Sequence, residues 1–306
     1  MRRQQLTADA SLLFVTAVWG ATFVMVQDAV TGFPVFAFLA LRFALAALVL
    51  LPFFIQSRSV RRDDFSRSPR RKATEVATTN WLPGVLVGLA LFAGYAFQTF
   101  GLRYTTPAKA GFITGMSVVL VPLGQAIFLR RMPRRNSIIG VALAAAGLSL
   151  LTLQANLSVN SGDLLVLACA VAFAAHILLV GRYAPGWPPL RLAFVQILTV
   201  AVLSSAAALL LERPIGLPPG NVWFAAAFTG LLATALAFFV QSRAQQDTSP
   251  THTALIFAAE PVFAGLFSFL LIGEVLGPRQ VVGSALIVAG MVTAEVRIGR
   301  EGKQGK

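Results

Sequence analysis

The sequence predicts an all-α integral membrane protein of ten transmembrane helices, arranged as two inverted five-helix repeats. Three observations predict it. Hydrophobic residues make up 57% of the 306 residues and charged ones 12%, with a mean hydropathy of +0.75. That balance is far from a soluble domain's. The chain also repeats itself. Residues 98–147, shifted by 143 positions, lie on 241–290 without a gap, matching Gln98 to Gln241, Thr105-Thr106-Pro107 to Thr248-Ser249-Pro250, Gly140 to Gly283 and Gly147 to Gly290. A second register, shifted by 154, lays Asp9 on Asp163, Phe33-Pro34 on Trp187-Pro188 and Arg42 on Gln196. Finally, each half holds five apolar segments. Five is odd, so the second half inserts with opposite polarity, and inverted repeats of this kind place a site at the midplane and rock around it.

A span needs about 20 mostly apolar residues to cross roughly 30 Å of hydrocarbon. The first, 10–28, follows Met-Arg-Arg-Gln-Gln and could pass for a signal peptide. It is span-length and recurs as 163–181, so it is read as a retained helix. Span two, 34–55, carries Arg42 in its middle third, and the polar stretch 56–80 after it holds the extra length of half one. Span three, 81–101, holds Tyr95 and Gln98, and span four, 107–129, ends at Arg130-Arg131. Span five, 137–154, places Gly140, Ala144 and Gly147 on one face, small residues that let backbones approach closely in lipid. Spans six, seven and eight (163–181, 190–211, 221–242) are the mates of one, two and three and contain His176, Gln196 and Gln241. Span nine, 251–272, contains Glu260-Pro261, where the backbone should kink and leave a carbonyl unpaired. Span ten, 280–296, repeats the small-residue stripe with Gly283, Ala285, Ala289 and Gly290, so five and ten are expected to close the bundle away from the substrate path. The expected division is a first repeat over 1–154 with a cytoplasmic basic loop at 56–80, a second repeat over 155–297, and a cytoplasmic tail over 298–306.

The net charge of +13 is distributed as a topology signal. With the N-terminus in the cytoplasm, 20 of the 25 Lys and Arg residues fall on cytoplasmic segments, four on the opposite side, and Arg42 inside a span. That bias places both termini inside. The basic loops should touch anionic membrane lipid, and no nucleic-acid partner is expected. The single cysteine, Cys169, lies in a span and excludes intramolecular disulfides and cysteine metal clusters. No phosphate-cradling glycine motif occurs, so nucleotide hydrolysis and cofactors are not expected, and energy would come from an ion gradient or the substrate's own.

Val18-Trp19-Gly20-Ala21-Thr22-Phe23, Leu41-Arg42-Phe43, the run Thr251-His252-Thr253-Ala254-Leu255-Ile256-Phe257-Ala258-Ala259-Glu260-Pro261-Val262-Phe263, and Leu271-Ile272-Gly273-Glu274 followed by Gly283 and Ala289-Gly290 share a resemblance. Together they resemble the EamA-like, ten-helix branch of the drug/metabolite transporter superfamily. The resemblance covers nearly the whole chain outside the polar loop and the tail. It implies a permease of the bacterial inner membrane, often an exporter of amino acids, metabolites or toxic organic compounds. The family often ends its fourth span in Gly-Glu, whereas Arg130-Arg131 stands there in this chain.

Ionisable groups at membrane depth default to functional hypotheses. Glu260, near the middle of span nine, is either a proton-coupling group or counter-ion to a cationic substrate, or a carboxylate held by a neighbouring helix. Arg42 holds an anionic substrate group, pairs with Glu260, or is a structural partner of carbonyls; Arg42 and Glu260 are expected to face one central cavity. His176 is a proton relay or a satisfied interior group. The mates Gln98 and Gln241 suit a polar substrate or interhelical bonds. Trp19 and Tyr95 stand at a depth where they could wall a cavity. His252 is too far from His176, with no carboxylate at ligand spacing, for a metal site. The substrate is a small molecule, with protons and a second copy of the chain left open as partners. An intramembrane enzyme would need a nucleophile or paired acids, and Glu260, Arg42 and His176 offer no recognised catalytic spacing; a non-transporting membrane subunit stays the other alternative.

Overall fold

The computed structural model describes residues 2–63, 80–128, 130, 132–152, 160–212, 216–272 and 277–295, and no strand occurs among them. Helix satisfies every backbone polar group within its own segment, as hydrocarbon demands. Half one runs α1 (Arg2–Gly20), α2 (Phe23–Thr31), α3 (Val35–Asp63), α4 (Leu82–Gly101), α5 (Pro107–Gly115), α6 (Ser117–Phe128) and α7 (Arg135–Thr152). Half two runs α8 (Ser161–Tyr183), α9 (Pro189–Leu211), α10 (Gly220–Gly230), a π-helical turn (Leu231–Leu236), α11 (Ala237–Ala244), α12 (Pro250–Phe257), α13 (Glu260–Ile272) and α14 (Pro278–Glu295).

Within the described residues each expected segment is helical, with breaks at 21–22, 116 and 258–259. Among the described residues seven stretches are long and apolar enough to cross a bilayer: Gln4–Thr31, Val35–Ser57, Leu82–Gly101, Lys109–Phe128, Ser161–Gly186, Pro189–Leu211 and Gly220–Ala244. Arg135–Leu150 and Pro278–Ala294 are shorter apolar helices, and α12 with α13 makes up the remaining segment. Positions 64–79 of the basic loop, Arg131, Glu274 and the tail at 298–306 lie outside the described residues.

Helix starts follow local chemistry. The repeat mates Thr106 and Ser249 cap α5 and α12, each side chain accepting from a backbone N–H in the first turn, of Lys109 and of His252. Proline follows each cap, where its missing N–H costs nothing. One boundary differs from expectation: α3 runs past residue 55, through Pro52, to Asp63. A polar sequence ends the apolar slab but does not oblige a helix to stop there.

Repeat mates pack on each other: α3 on α9, and α7 on α14. In the second pair the glycine stripes meet face to face. A Cβ at Gly140 would stand 2.5 Å from the Gly290 carbonyl oxygen, and one at Gly290 would stand 2.5 Å from that of Gly140. A Cβ at Gly147 would collide with the Gly283 carbonyl oxygen. The stripes are thus buried against each other within one chain, as a helix pair beside the bundle's core. Gly147→Val should open this pair at a cost of about 1–3 kcal/mol or more, since a backbone carbonyl cannot rotate away as a side chain can. Thermal unfolding in detergent checks it, with Gly32→Ala, whose Cβ would meet nothing within 4 Å, expected to melt like the parent.

Candidate functional site

Four backbone irregularities surround one place. Between α1 and α2 the chain turns at Ala21-Thr22, where the Trp19 carbonyl accepts from Thr22 N at 2.9 Å and Thr22 Oγ1 at 2.8 Å. Gly20 sits on the backbone of Glu260: a Cβ there would lie 2.8 Å from the Glu260 carbonyl oxygen. Between α12 and α13 the helix breaks at Ala258-Ala259, ahead of Pro261, which has no N–H to offer the preceding turn. The 143 shift maps this break onto the one between α5 and α6 at Met116, with Ser117 in the place of Glu260. The fourth irregularity is the π-helical turn, a form that frees carbonyls from the helical ladder.

The breaks at Thr22, Ser117 and Glu260 line a partly open cavity, and the π turn stands behind it, bonded to Arg42 and Trp19. All seven candidate residues, Trp19, Arg42, Tyr95, Gln98, His176, Gln241 and Glu260, line the cavity. Arg42 is 3% exposed. Its Nε donates to Thr234 Oγ1 at 2.8 Å, and its Nη2 reaches Tyr95 OH at 3.2 Å and the Ala233 carbonyl at 3.4 Å. The guanidinium also lies over the Tyr95 ring, 4.7 Å from its centroid. Trp19 Nε1 donates to the same Ala233 carbonyl at 2.8 Å, so the π turn holds both side chains. The Trp19 ring meets Phe257 edge-on at 4.9 Å and Phe238 at 5.8 Å, which makes it a wall of the cavity.

Glu260 behaves differently. Its carboxylate has no hydrogen-bond or ion-pair partner among the described residues, and the Arg42–Glu260 pair entertained from sequence is not formed. Arg42 is turned to Thr234 and Tyr95 instead. Gln241 donates to Gln245 Oε1 at 2.9 Å, while its own buried Oε1 meets no partner. Gln98 Nε2 reaches Thr114 Oγ1 at 3.4 Å. His176 is engaged: its Nε2 stands 2.7 Å from Gln196 Oε1, and Gln196 Nε2 donates onward to Ser242 at 3.2 Å. Gln196 is the repeat mate of Arg42, so the same position organises a polar cluster in each half, with a charge in only one.

Sequence reasoning missed Thr234, Ser117 and Phe238. The repeat itself could have found the last two, because Ser117 is the mate of Glu260 and Phe238 the mate of Tyr95. Among the described residues no group of three or more His, Cys, Asp or Glu side chains is placed to hold a metal ion.

The model of the EamA-like transporter family matches the chain twice, over residues 6–153 and 160–294. An uncharacterized transporter of Archaeoglobus fulgidus is 32% identical over 295 residues, covering 96% of this chain and 88% of its own. The uncharacterized transporter YyaM of Bacillus subtilis is 25% identical, covering 92% of each chain. The uncharacterized inner membrane transporter YedA of Escherichia coli is 24% identical, over 95% and 91%. A solved crystal structure superposes with a TM-score of 0.74 at 21% identity, covering 95% of this chain and 98% of the other, a likeness of fold.

Proposed function

Because this chain belongs to the EamA-like transporter family, we propose that it is a secondary transporter that carries a small organic solute through the cavity by alternating access. The observation that supports this most is the convergence of helix breaks from both halves on one cavity whose polar groups are not all used by the protein. Discontinuous helices around a midplane site are how inverted-repeat transporters bind and release their substrates. The half-helices α6 and α13 begin at Ser117 and Glu260, both on the cavity wall. Glu260 and the Gln241 Oε1 offer acceptors without partners, Arg42 supplies a cation, and Trp19, Phe238 and Phe257 supply rings. Such walls suit a small molecule with an ammonium or other donor group on an apolar body: an amino acid, a metabolite or an organic amine. Transport rather than catalysis is its role, and export is the direction that the resemblance favours.

Each five-helix repeat forms one side of the cavity. The protein sits in the bacterial inner membrane with both termini in the cytoplasm, on the strength of the 20-to-4 bias in basic residues. Reporter fusions after Arg70 and Lys306 should then report cytoplasm, and fusions after Asn160 and Gly216 the outside. A C-terminal fusion found outside sinks the ten-span inverted arrangement.

The function is tested by comparing small-molecule content of cells and medium with and without expression. At least one amine-bearing or zwitterionic compound should shift between cell and medium, and Arg42→Ala should cancel the shift. Indistinguishable profiles would count against transport of a common metabolite.

A further inference from the structure

The two ends of the bundle carry the same polar contact, written twice by the repeat. At one end Asp163, at the start of α8, accepts from Thr105 Oγ1 at 2.5 Å and lies 3.6 Å from Lys109 Nζ. At the other, Asp9 in α1 lies 3.3 Å from His252 Nε2 at the start of α12. The 154 shift maps Asp9 onto Asp163, and the 143 shift maps Lys109 onto His252 and Thr105 onto Thr248. The two sites lie far apart along α8: a Cβ at Gly162 would touch Thr105 N, and one at Gly181 would touch the Pro250 ring. Gly181 lies nineteen helical steps beyond Gly162, about 28 Å at 1.5 Å per residue.

The contacts are not equally made. Asp163 also accepts from the backbone N–H of Asn160 at 3.0 Å, completing a capping box. Leu6 stands where the shift places Asn160, inside α1, so no cap uses the Asp9 carboxylate. Both Asp9 oxygens are buried without a hydrogen bond, the His252 contact being close but not aligned as one, and the Thr248 hydroxyl is buried and unpartnered. One end adds hydrogen bonds and a cap to its ion pair, whereas at the other the Asp9 carboxylate meets His252 as an ion pair without a hydrogen bond. The cation differs as well: lysine keeps its charge across the physiological range, while histidine carries one only when protonated.

We propose that these repeat-related pairs are the two gate latches of the transport cycle: Asp163 with Thr105 and Lys109 shuts one mouth, Asp9 with His252 and Thr248 shuts the other, and the second releases when His252 loses its proton. Asp9 is an acidic group against His252 at this end. Of the helices packed on α12, α6 has no ionisable side chain and α7 only Arg135, which is exposed. At this end α8 brings exposed Arg182 and half-buried Tyr183, while its His176 is engaged by Gln196. α14 contributes Arg279, at its far end, and Glu295, and α1 adds Arg2 and Arg3 to Asp9; the side chains of Glu295, Arg2 and Arg3 lie outside the described residues.

The inference rests on the transport reading, and its test needs no substrate, so the two can fail separately. Cys169, the lone cysteine, is replaced by alanine and Ser117→Cys places a thiol on the cavity wall. A membrane-impermeant thiol reagent is then applied to each face in oriented vesicles. Thr105→Val and Lys109→Met, which leave the capping box intact, should raise labelling through the Asp163 mouth roughly fivefold or more. In the parent, labelling through the Asp9 mouth should rise with pH relative to labelling of the same thiol through the Asp163 mouth, a ratio that cancels the thiol's own ionisation, and His252→Lys, which copies the mirror site, should flatten that ratio. Unchanged labelling through the Asp163 mouth in both variants, or a ratio of Asp9-mouth to Asp163-mouth labelling that does not change with pH in the parent, overturns the proposal.

Discussion

Replacing Glu260 with glutamine is expected to abolish driven transport while leaving the protein folded. The carboxylate has no hydrogen-bond or ion-pair partner among the described residues, so the isosteric amide breaks no internal bond, and stability should hold or rise. A carboxylate at membrane depth without a partner is a standing cost to the fold. What it gains must come from outside the chain, either a cationic group on the solute or a proton. Glutamine can supply neither charge nor titration. Affinity for an amine-bearing solute should fall roughly 30-fold or more, equivalent to about 2 kcal/mol. In proteoliposomes the response to an imposed pH gradient should vanish, while passive exchange of the solute persists. If the unmodified protein ignores both the gradient and a protonophore, facilitated diffusion is the better account and Glu260 is a binding group alone.

Arg42→Ala should be as damaging to transport but should also cost stability, and this separates the two charges. Arg42 donates to Thr234 and Tyr95 and shares the Ala233 carbonyl with Trp19. Removing it orphans the Thr234 hydroxyl and loosens the π turn, at a cost of about 1.5–3 kcal/mol. Transport per folded molecule should drop by roughly 30-fold or more. Arg42→Lys should not restore it, because a single ammonium cannot reach the Thr234 and Tyr95 oxygens together as the guanidinium fork does. Tyr95→Phe, which removes one donor–acceptor pair at 3.2 Å, should fall between. Normalising uptake to the folded fraction, read by thermal unfolding in detergent, distinguishes a lost binding group from a lost protein.

The duplication carried most of what could be read in advance. Two registers aligned the apolar segments of the halves, the glycine stripes marked spans five and ten as closing helices, and the depth of Arg42 and Glu260 in their spans singled them out as charges. Those features are visible because burial in lipid filters residue type strictly: a charge inside a span has to face the bundle interior, and a glycine stripe there marks where two backbones meet. The breaks were harder. Pro261 announced the one between α12 and α13, but its counterpart at Met116 has no proline, and the turn at Ala21-Thr22 follows from Gly20 packing against the Glu260 backbone. The π turn leaves no mark in Leu-Leu-Ala-Thr-Ala-Leu; it is held by Trp19 and Arg42 reaching its carbonyl from other helices. Contacts between distant segments decide such features, and a single sequence does not display them. The sequence left Arg42 to hold a substrate group, pair with Glu260 or bond carbonyls, and its neighbours make it a bonded anchor while Glu260 stays open.

Counterflow in sealed proteoliposomes tests the alternating-access account most directly. Vesicles preloaded with the compound that expression displaces from cells are diluted into a trace of the same compound carrying a radiolabel. The account predicts that label transiently accumulates inside above its equilibrium level, and that Arg42→Ala vesicles of equal protein content do not show it. Label that enters no faster in preloaded than in empty vesicles, or that only equilibrates, would contradict a carrier that exposes one cavity to each side in turn.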